Sequence, residues 1–189
     1  MEEKMSAIGG KVAIISDIHN NEVNLKKVLD YCKQENIQAI ICCGDLASQE
    51  TLHFALKNFA GTFYYAFGNM DDDYLREFEH VNEYQNAKLF TKFGELEFEV
   101  SPQKNIGRGE TSTRKIAFIH YPNAAKELCE TEKYDFVFYG HTHKPWEETI
   151  GKCKMLNPGN VAGEIYPPTF AVWNTENNKF ELIRIHDLK

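Results

Sequence analysis

Seven residues with oxygen or nitrogen donors stand in five short groups along this sequence: Asp17-Ile-His19, Gly44-Asp45, Gly68-Asn69, Ile119-His120 and Gly140-His141-Thr-His143. Each group closes an apolar run. Carboxylate, amide oxygen and imidazole without sulfur form a donor set suited to manganese, iron, cobalt, nickel or zinc, and its histidine content argues against magnesium or calcium alone. A single Asp or His after a strand is usually a turn or surface residue, since Asp and Asn favour turns anyway. The repetition carries the argument. Seven ligands are too many for one ordinary ion but suit two ions sharing one carboxylate. Asp17, His19, Asp45, Asn69, His120, His141 and His143 are therefore the candidate metal ligands. His141 and His143 would face opposite sides of an ideal strand. They can serve one site only if the chain turns at Gly140, each then reaching a different ion.

Charge points to the substrate. Two divalent cations with the carboxylates of Asp17 and Asp45 sum to about +2, so such a site attracts phosphate even inside an acidic protein. Two ions about 4 Å apart also lower the pKa of a bridging water and stabilise the attacking and leaving oxygens of a displacement. The expected chemistry is hydrolysis of a phosphate ester.

The elements between these groups must bring them together. Val12 to Ser16 is an apolar, β-branched run too short for a helix and reads as a buried strand. Leu25, Val28, Leu29 and Cys32 then recur at helical spacing. Ala39 to Cys43 is a second strand, and Leu52, Ala55, Leu56 and Phe59 mark a second helix with Ser48 as N-cap. Phe63 to Phe67 is a third strand, followed by a short helix over Asp71 to Glu79. Strands are expected at Ala87 to Phe93 and Glu95 to Val100, joined at Gly94, then at Lys115 to Ile119, Phe136 to Tyr139, Thr169 to Asn174 and Lys179 to Ile185. A helix is expected at Ala124 to Glu132, and Ser101 to Thr113 is the one long polar loop. Alternating strands and helices followed by consecutive strands predict two sheets packed together with helices outside. Ligands in α/β sheets bind beyond the carboxyl ends of strands, where all five groups fall.

The bulk numbers set limits. With 189 residues the chain fits one domain, residues 1–189, in which residues 1–10 form a flexible tail. A composition 42% hydrophobic and 26% charged is ordinary for a globular protein. No apolar stretch approaches the ~18 residues of a spanning helix, and no secretory pattern opens the chain, so no membrane association and a cytoplasmic location are expected. A net charge of -7 argues against an extended nucleic-acid partner. Cys32, Cys42, Cys43, Cys129 and Cys153 are odd in number and lack a C-x-x-C pair, so all five are expected to be reduced thiols.

These motifs, over about residues 11 to 186, resemble the calcineurin-like metallophosphoesterases, and among them the short YfcE-type phosphodiesterases. The carriers are Asp17-Ile-His19-Asn-Asn21, Gly44-Asp45, Gly68-Asn69-Met70-Asp71, His120, Gly140-His141-Thr-His143 and the turn Asn157-Pro-Gly-Asn160. The resemblance implies a four-layer αββα sandwich of two mixed sheets flanked by helices. It implies that Asp17, His19 and His143 bind one ion, Asn69, His120 and His141 the other, and that Asp45 bridges them. Catalytic roles would fall to Asp45, Asn69, Asp71 and His120. Two divalent ions are expected, manganese first, with nickel, cobalt, iron or zinc as alternatives. The substrate would be a small-molecule phosphate ester or a nucleotide-type phosphodiester, and a homodimer or higher homo-oligomer is left open. A scaffold that binds protein partners without catalysis, as the retromer subunit on this fold does, is the alternative.

Three departures from the family pattern stand out. Met70 occupies the place of the histidine that protonates the leaving group in many members. Tyr121-Pro122 follows His120 where glycine is usual, stiffening the backbone beside the second ion. The loop Ser101 to Thr113 is longer than the usual hairpin, and could cover the site, contact a subunit or be a tolerated insertion.

Overall fold

The computed structural model describes residues 10–71, 84–100 and 112–189. Its first sheet contains β1 (Lys11–Ile15), β2 (Ala39–Cys42), β3 (Thr62–Ala66), β4 (Ala87–Phe90), β10 (Thr169–Asn174) and β11 (Lys179–Arg184), in the order β11-β10-β1-β2-β3-β4. Strands β1 to β4 are mutually parallel, β10 pairs antiparallel with β1, and β11 pairs antiparallel with β10 at the edge. The second sheet has β5 (Phe93–Val100), β6 (Ser112–Ile119), β7 (Phe136–Phe138), β8 (Trp146–Ile150) and β9 (Cys153–Asn157) in the order β5-β6-β7-β9-β8. Here β6, β7 and β9 are parallel, with antiparallel strands at both edges.

Alternation along the strands builds the layers. In β1, Val12 and Ile14 face the second sheet, where they join Phe98, Ile116, Phe118 and Phe138 around Trp173. Ala13 and Ile15 face the other way, onto Leu25, Val28, Leu29 and Cys32 of α1 (Glu22–Gln34) and Leu52, Ala55 and Leu56 of α2 (Gln49–Asn58). Strands buried on both faces read as continuous apolar runs, which is why β1 and β2 are legible in the sequence. On the far side, α3 (Pro122–Glu130) lays Ala125 and Cys129 against Ala117, Ile119 and Val137 of the second sheet. The result is the expected αββα sandwich of two mixed sheets. Ser48 caps α2 as expected, its hydroxyl accepting from the Thr51 amide at 3.2 Å.

Three expectations change. Gly94 does not join two strands: β4 and β5 belong to different sheets, and the chain crosses between them at Thr91-Lys92. Gly94 sits inside β5 opposite Phe118, and a Cβ there would lie 2.0 Å from the Phe118 ring, so glycine serves packing rather than turning. The hairpin partner of β5 is β6, and Val100 pairs with Ser112, so strand pairing claims Ser112 and Thr113 from the expected loop. Finally, Cys129 and Cys153 form a disulfide rather than two thiols, because α3 packs on β9 with the two Cα atoms 5.4 Å apart, inside the range a disulfide spans. Cys32, Cys42 and Cys43 are buried free thiols, as expected. The rest of that loop, the expected helix after Asp71 and the N-terminal tail up to Gly9 lie outside the described residues.

Candidate metal centre

The donor groups follow the carboxyl ends of β1, β2 and β3 in one sheet and of β6 and β7 in the other, and all seven side chains meet between them. Asp17 and His120 are fully buried, and Asp45 and His143 nearly so. On one side, His143 Nε2 lies 3.4 Å from Asp17 Oδ1, and His19 Nε2 lies 3.8 Å from both Asp17 Oδ1 and Asp45 Oδ2. On the other, Asn69 Oδ1 lies 3.0 Å from His120 Nε2 and 2.9 Å from His141 Nδ1, while those two nitrogens are 3.2 Å apart. Asp45 Oδ2 reaches this group too, 3.3 Å from His120 Nε2. The side chains thus form two clusters with Asp45 between them.

Conformations seldom used by residues with side chains hold this arrangement. Asp17, His19, Asp45, His141 and His143 all have positive φ, from 45° to 70°. Asp and His tolerate the left-handed region better than most residues, yet each such position costs on the order of 1–2 kcal/mol. The turn expected at Gly140 is made by the histidines themselves. Gly140 contributes its missing side chain, since a Cβ would fall 1.9 Å from Ser16 Oγ and 2.9 Å from Asp17 Oδ2.

Surrounding groups orient two of the four imidazoles. His120 Nδ1 lies 2.9 Å from the Cys43 carbonyl and His143 Nδ1 lies 3.3 Å from the Glu164 carbonyl, so each places its proton outward and turns Nε2 to the centre. The His141 amide donates to Asp17 at 3.0 Å. Asn157 donates to the Gly140 carbonyl at 2.9 Å, and Asn160 to the His143 carbonyl at 3.1 Å, pinning both ends of the histidine turn. Neither asparagine was singled out as a site residue. Their only signal was the Asn157-Pro-Gly-Asn160 turn, which does not reveal its contact from sequence.

Asp71 plays a different part. Its carboxylate accepts from the backbone amides of Gly68 at 2.6 Å and of Asp45 and Ala47 at 3.0 Å each. It ties the loop after β2 to the loop after β3. Met70, next to it, is half exposed and donates its amide to Asp45 Oδ1 at 2.8 Å.

The donor set fits cations. Burial would push the Asp17 carboxyl up, but His143 and His19 outweigh it and hold it well below the usual carboxylate range. Asp17 in turn raises His19 and His143 above the ordinary histidine value. Burial lowers His120, and Asp45 more than offsets this and raises it. A field that raises three clustered imidazoles also favours a bound cation. His19 Nε2 is buried with no hydrogen-bond partner, the condition of a ligand atom aimed at an ion.

The fold and this donor cluster define a metal-dependent phosphoesterase. A profile of the calcineurin-like phosphoesterase superfamily domain matches residues 11–178, and the chain belongs to that superfamily. Phosphodiesterase MJ0936 of Methanocaldococcus jannaschii is 24% identical over 174 residues, covering 92% of this chain and 98% of its own length. A novel archaeal phosphodiesterase superposes with a TM-score of 0.75 at 22% identity, over 92% of this chain and 99% of the other. Vacuolar protein sorting 29 of Cryptosporidium parvum shares the fold with a TM-score of 0.58 at 19% identity, over 93% and 96% of the two chains. Among the described residues no helix is long and apolar enough to cross a membrane.

Proposed function

We propose that this chain is a metal-dependent phosphodiesterase, with Asp17, His19 and His143 holding one divalent ion, Asn69, His120 and His141 the other, and Asp45 touching both. The observation that carries the proposal is the meeting of seven donors from both sheets in two clusters around one carboxylate. Two bound ions would supply electrophilic charge to a phosphoryl group and acidify a water for attack. Manganese is the first ion to test, with nickel, cobalt, iron or zinc as alternatives for this nitrogen and oxygen set. The chain's own residues do the rest. Asp45 sets the spacing of the two halves, Asn69 and His120 would hold the second ion, and Asp71 positions Asp45 through its backbone amide. Because Met70 has no proton to give, the leaving group departs unprotonated by that position, which favours stable anions such as aryl oxides over alkoxides.

Further parts of the proposal are a small phosphoester substrate rather than extended nucleic acid, which the net charge of -7 disfavours, a cytoplasmic location, and one domain, since the ligands come from both sheets. A non-catalytic scaffold on the same fold is the competing reading, and retention of all seven donors opposes it. The test is turnover of bis-p-nitrophenyl phosphate by manganese-loaded protein, with loss on chelation. Metal binding without turnover of any mono- or diester would favour the scaffold.

A further inference from the structure

Among the described residues seven large apolar side chains are exposed, and two of them, Met70 and Tyr121, each directly follow a metal-centre residue. Tyr121 is 43% exposed, yet its ring packs on the centre: its centroid is 5.1 Å from the His120 imidazole at 77° and 5.3 Å from the His141 imidazole at 59°. Those are the two imidazoles whose nitrogens converge on Asn69 Oδ1. The backbone holds the ring there, because Tyr121 is the N-cap of α3 and Pro122 opens the helix with its φ already fixed. Met70 follows Asn69 and is anchored through its amide on Asp45. An apolar, aromatic surface therefore borders the second half of the centre. Glycine in place of Tyr121 would offer none.

Resting on the phosphodiesterase reading, we infer that Tyr121 is a platform on which an aromatic or heteroaromatic ester group of the substrate stacks. A phosphoryl group bound beside the exposed His141 would have its ester substituent within reach of a ring 5.3 Å from that imidazole. Aromatic pairs favour such offset or edge contacts, and a base stacked on an aromatic side chain gains enough to tighten binding by roughly one to two orders of magnitude. The substrate class is then a phosphodiester bearing at least one aryl or nucleobase-containing group.

Hydrolysis-inert phosphonates test this without turnover. Calorimetry on the manganese-loaded protein compares phenylphosphonate with methylphosphonate, which share the metal-seeking oxyanions and differ in the ring. The wild type should bind the phenyl compound about tenfold more tightly. Tyr121→Ala should bring that ratio close to one, and Tyr121→Phe should keep it. Equal affinities in the wild type, or a ratio that survives Tyr121→Ala, would overturn the platform while leaving the phosphodiesterase reading standing. Failure of either phosphonate to bind the loaded protein would overturn that reading and the platform with it.

Discussion

Asp71→Asn separates positioning from catalysis at the heart of this site. The Asp71 side chain is only 6% exposed, and one of its oxygens accepts from Asp45 and Gly68 while the other accepts from Ala47. A hydrogen bond to a charged group contributes about 1.5–3 kcal/mol net. Asparagine keeps the shape and can leave its oxygen on the Asp45 and Gly68 amides. Its amide group must then face the Ala47 N–H, donor against donor, and the two retained bonds lose their charge assistance. We expect destabilisation of roughly 2–3 kcal/mol, which for a chain of 189 residues lowers Tm by about 4–12 °C. Because Asp45 hangs on the same carboxylate and touches both halves of the centre, manganese affinity should fall ~10–100-fold, as when other supporting partners of metal ligands are removed. At saturating manganese, kcat should stay within a few-fold of wild type. Thermal melts, manganese titration and turnover at saturating metal measure the three quantities. A variant with wild-type Tm and metal affinity that loses turnover a hundredfold would refute this reasoning, and would place Asp71 on the substrate.

Four further outcomes follow from the same geometry. Reconstitution should give close to two manganese equivalents per chain by elemental analysis, and Asp45→Asn should weaken both sites and remove turnover in a folded protein. His53→Ala, whose imidazole instead meets the Tyr84 hydroxyl at 2.7 Å, should change neither, and a single weakly held ion in the wild type would count against two sites. In metal-free protein, His19, His120 and His143 are raised above their unfolded value near 6.5, so their stabilisation is complete below about pH 6.5 and fades as pH rises through the raised values. Asp17 is depressed, so its share is present above about pH 4 and lost only on strong acidification. Tm of the chelated protein should thus fall from pH 6 to pH 8 and that of the manganese-loaded protein should not, because metal takes the protons' place; a rise in the chelated protein would contradict this. Burial pushes the Cys32 thiol up to about 12 and those of Cys42 and Cys43 well above the usual value, so a thiol reagent should find none in the native state, three after unfolding and five after unfolding with reductant. Five without reductant would exclude the Cys129–Cys153 bond. Met70→His should raise turnover of alkyl esters more than aryl ones, with a new ionisation in the pH profile, and equal changes would show that another group supplies the proton.

The sequence by itself determined the local elements and the chemistry of the donors. Apolar runs at β1, β2 and β3 and the stripes of α1 and α2 are periodic, and period is a property of neighbours along the chain. The seven donors were legible because each closes such a run, and strands in a layered sheet deliver their carboxyl ends to one edge. Tertiary structure decided the rest. That Gly94 makes room for the Phe118 ring rather than a turn depends on a residue of another strand. Cys129 and Cys153 are 24 positions apart, and only the packing of α3 on β9 brings them together. Asp71 looks like one more carboxylate at the site, yet its oxygens are taken by amides of two loops. The left-handed backbone at five of the seven donors is likewise beyond local preference, because φ there is held against intrinsic cost by tertiary contacts. Donor identity is written in single residues, whereas the direction each donor faces is fixed by partners far away in the chain.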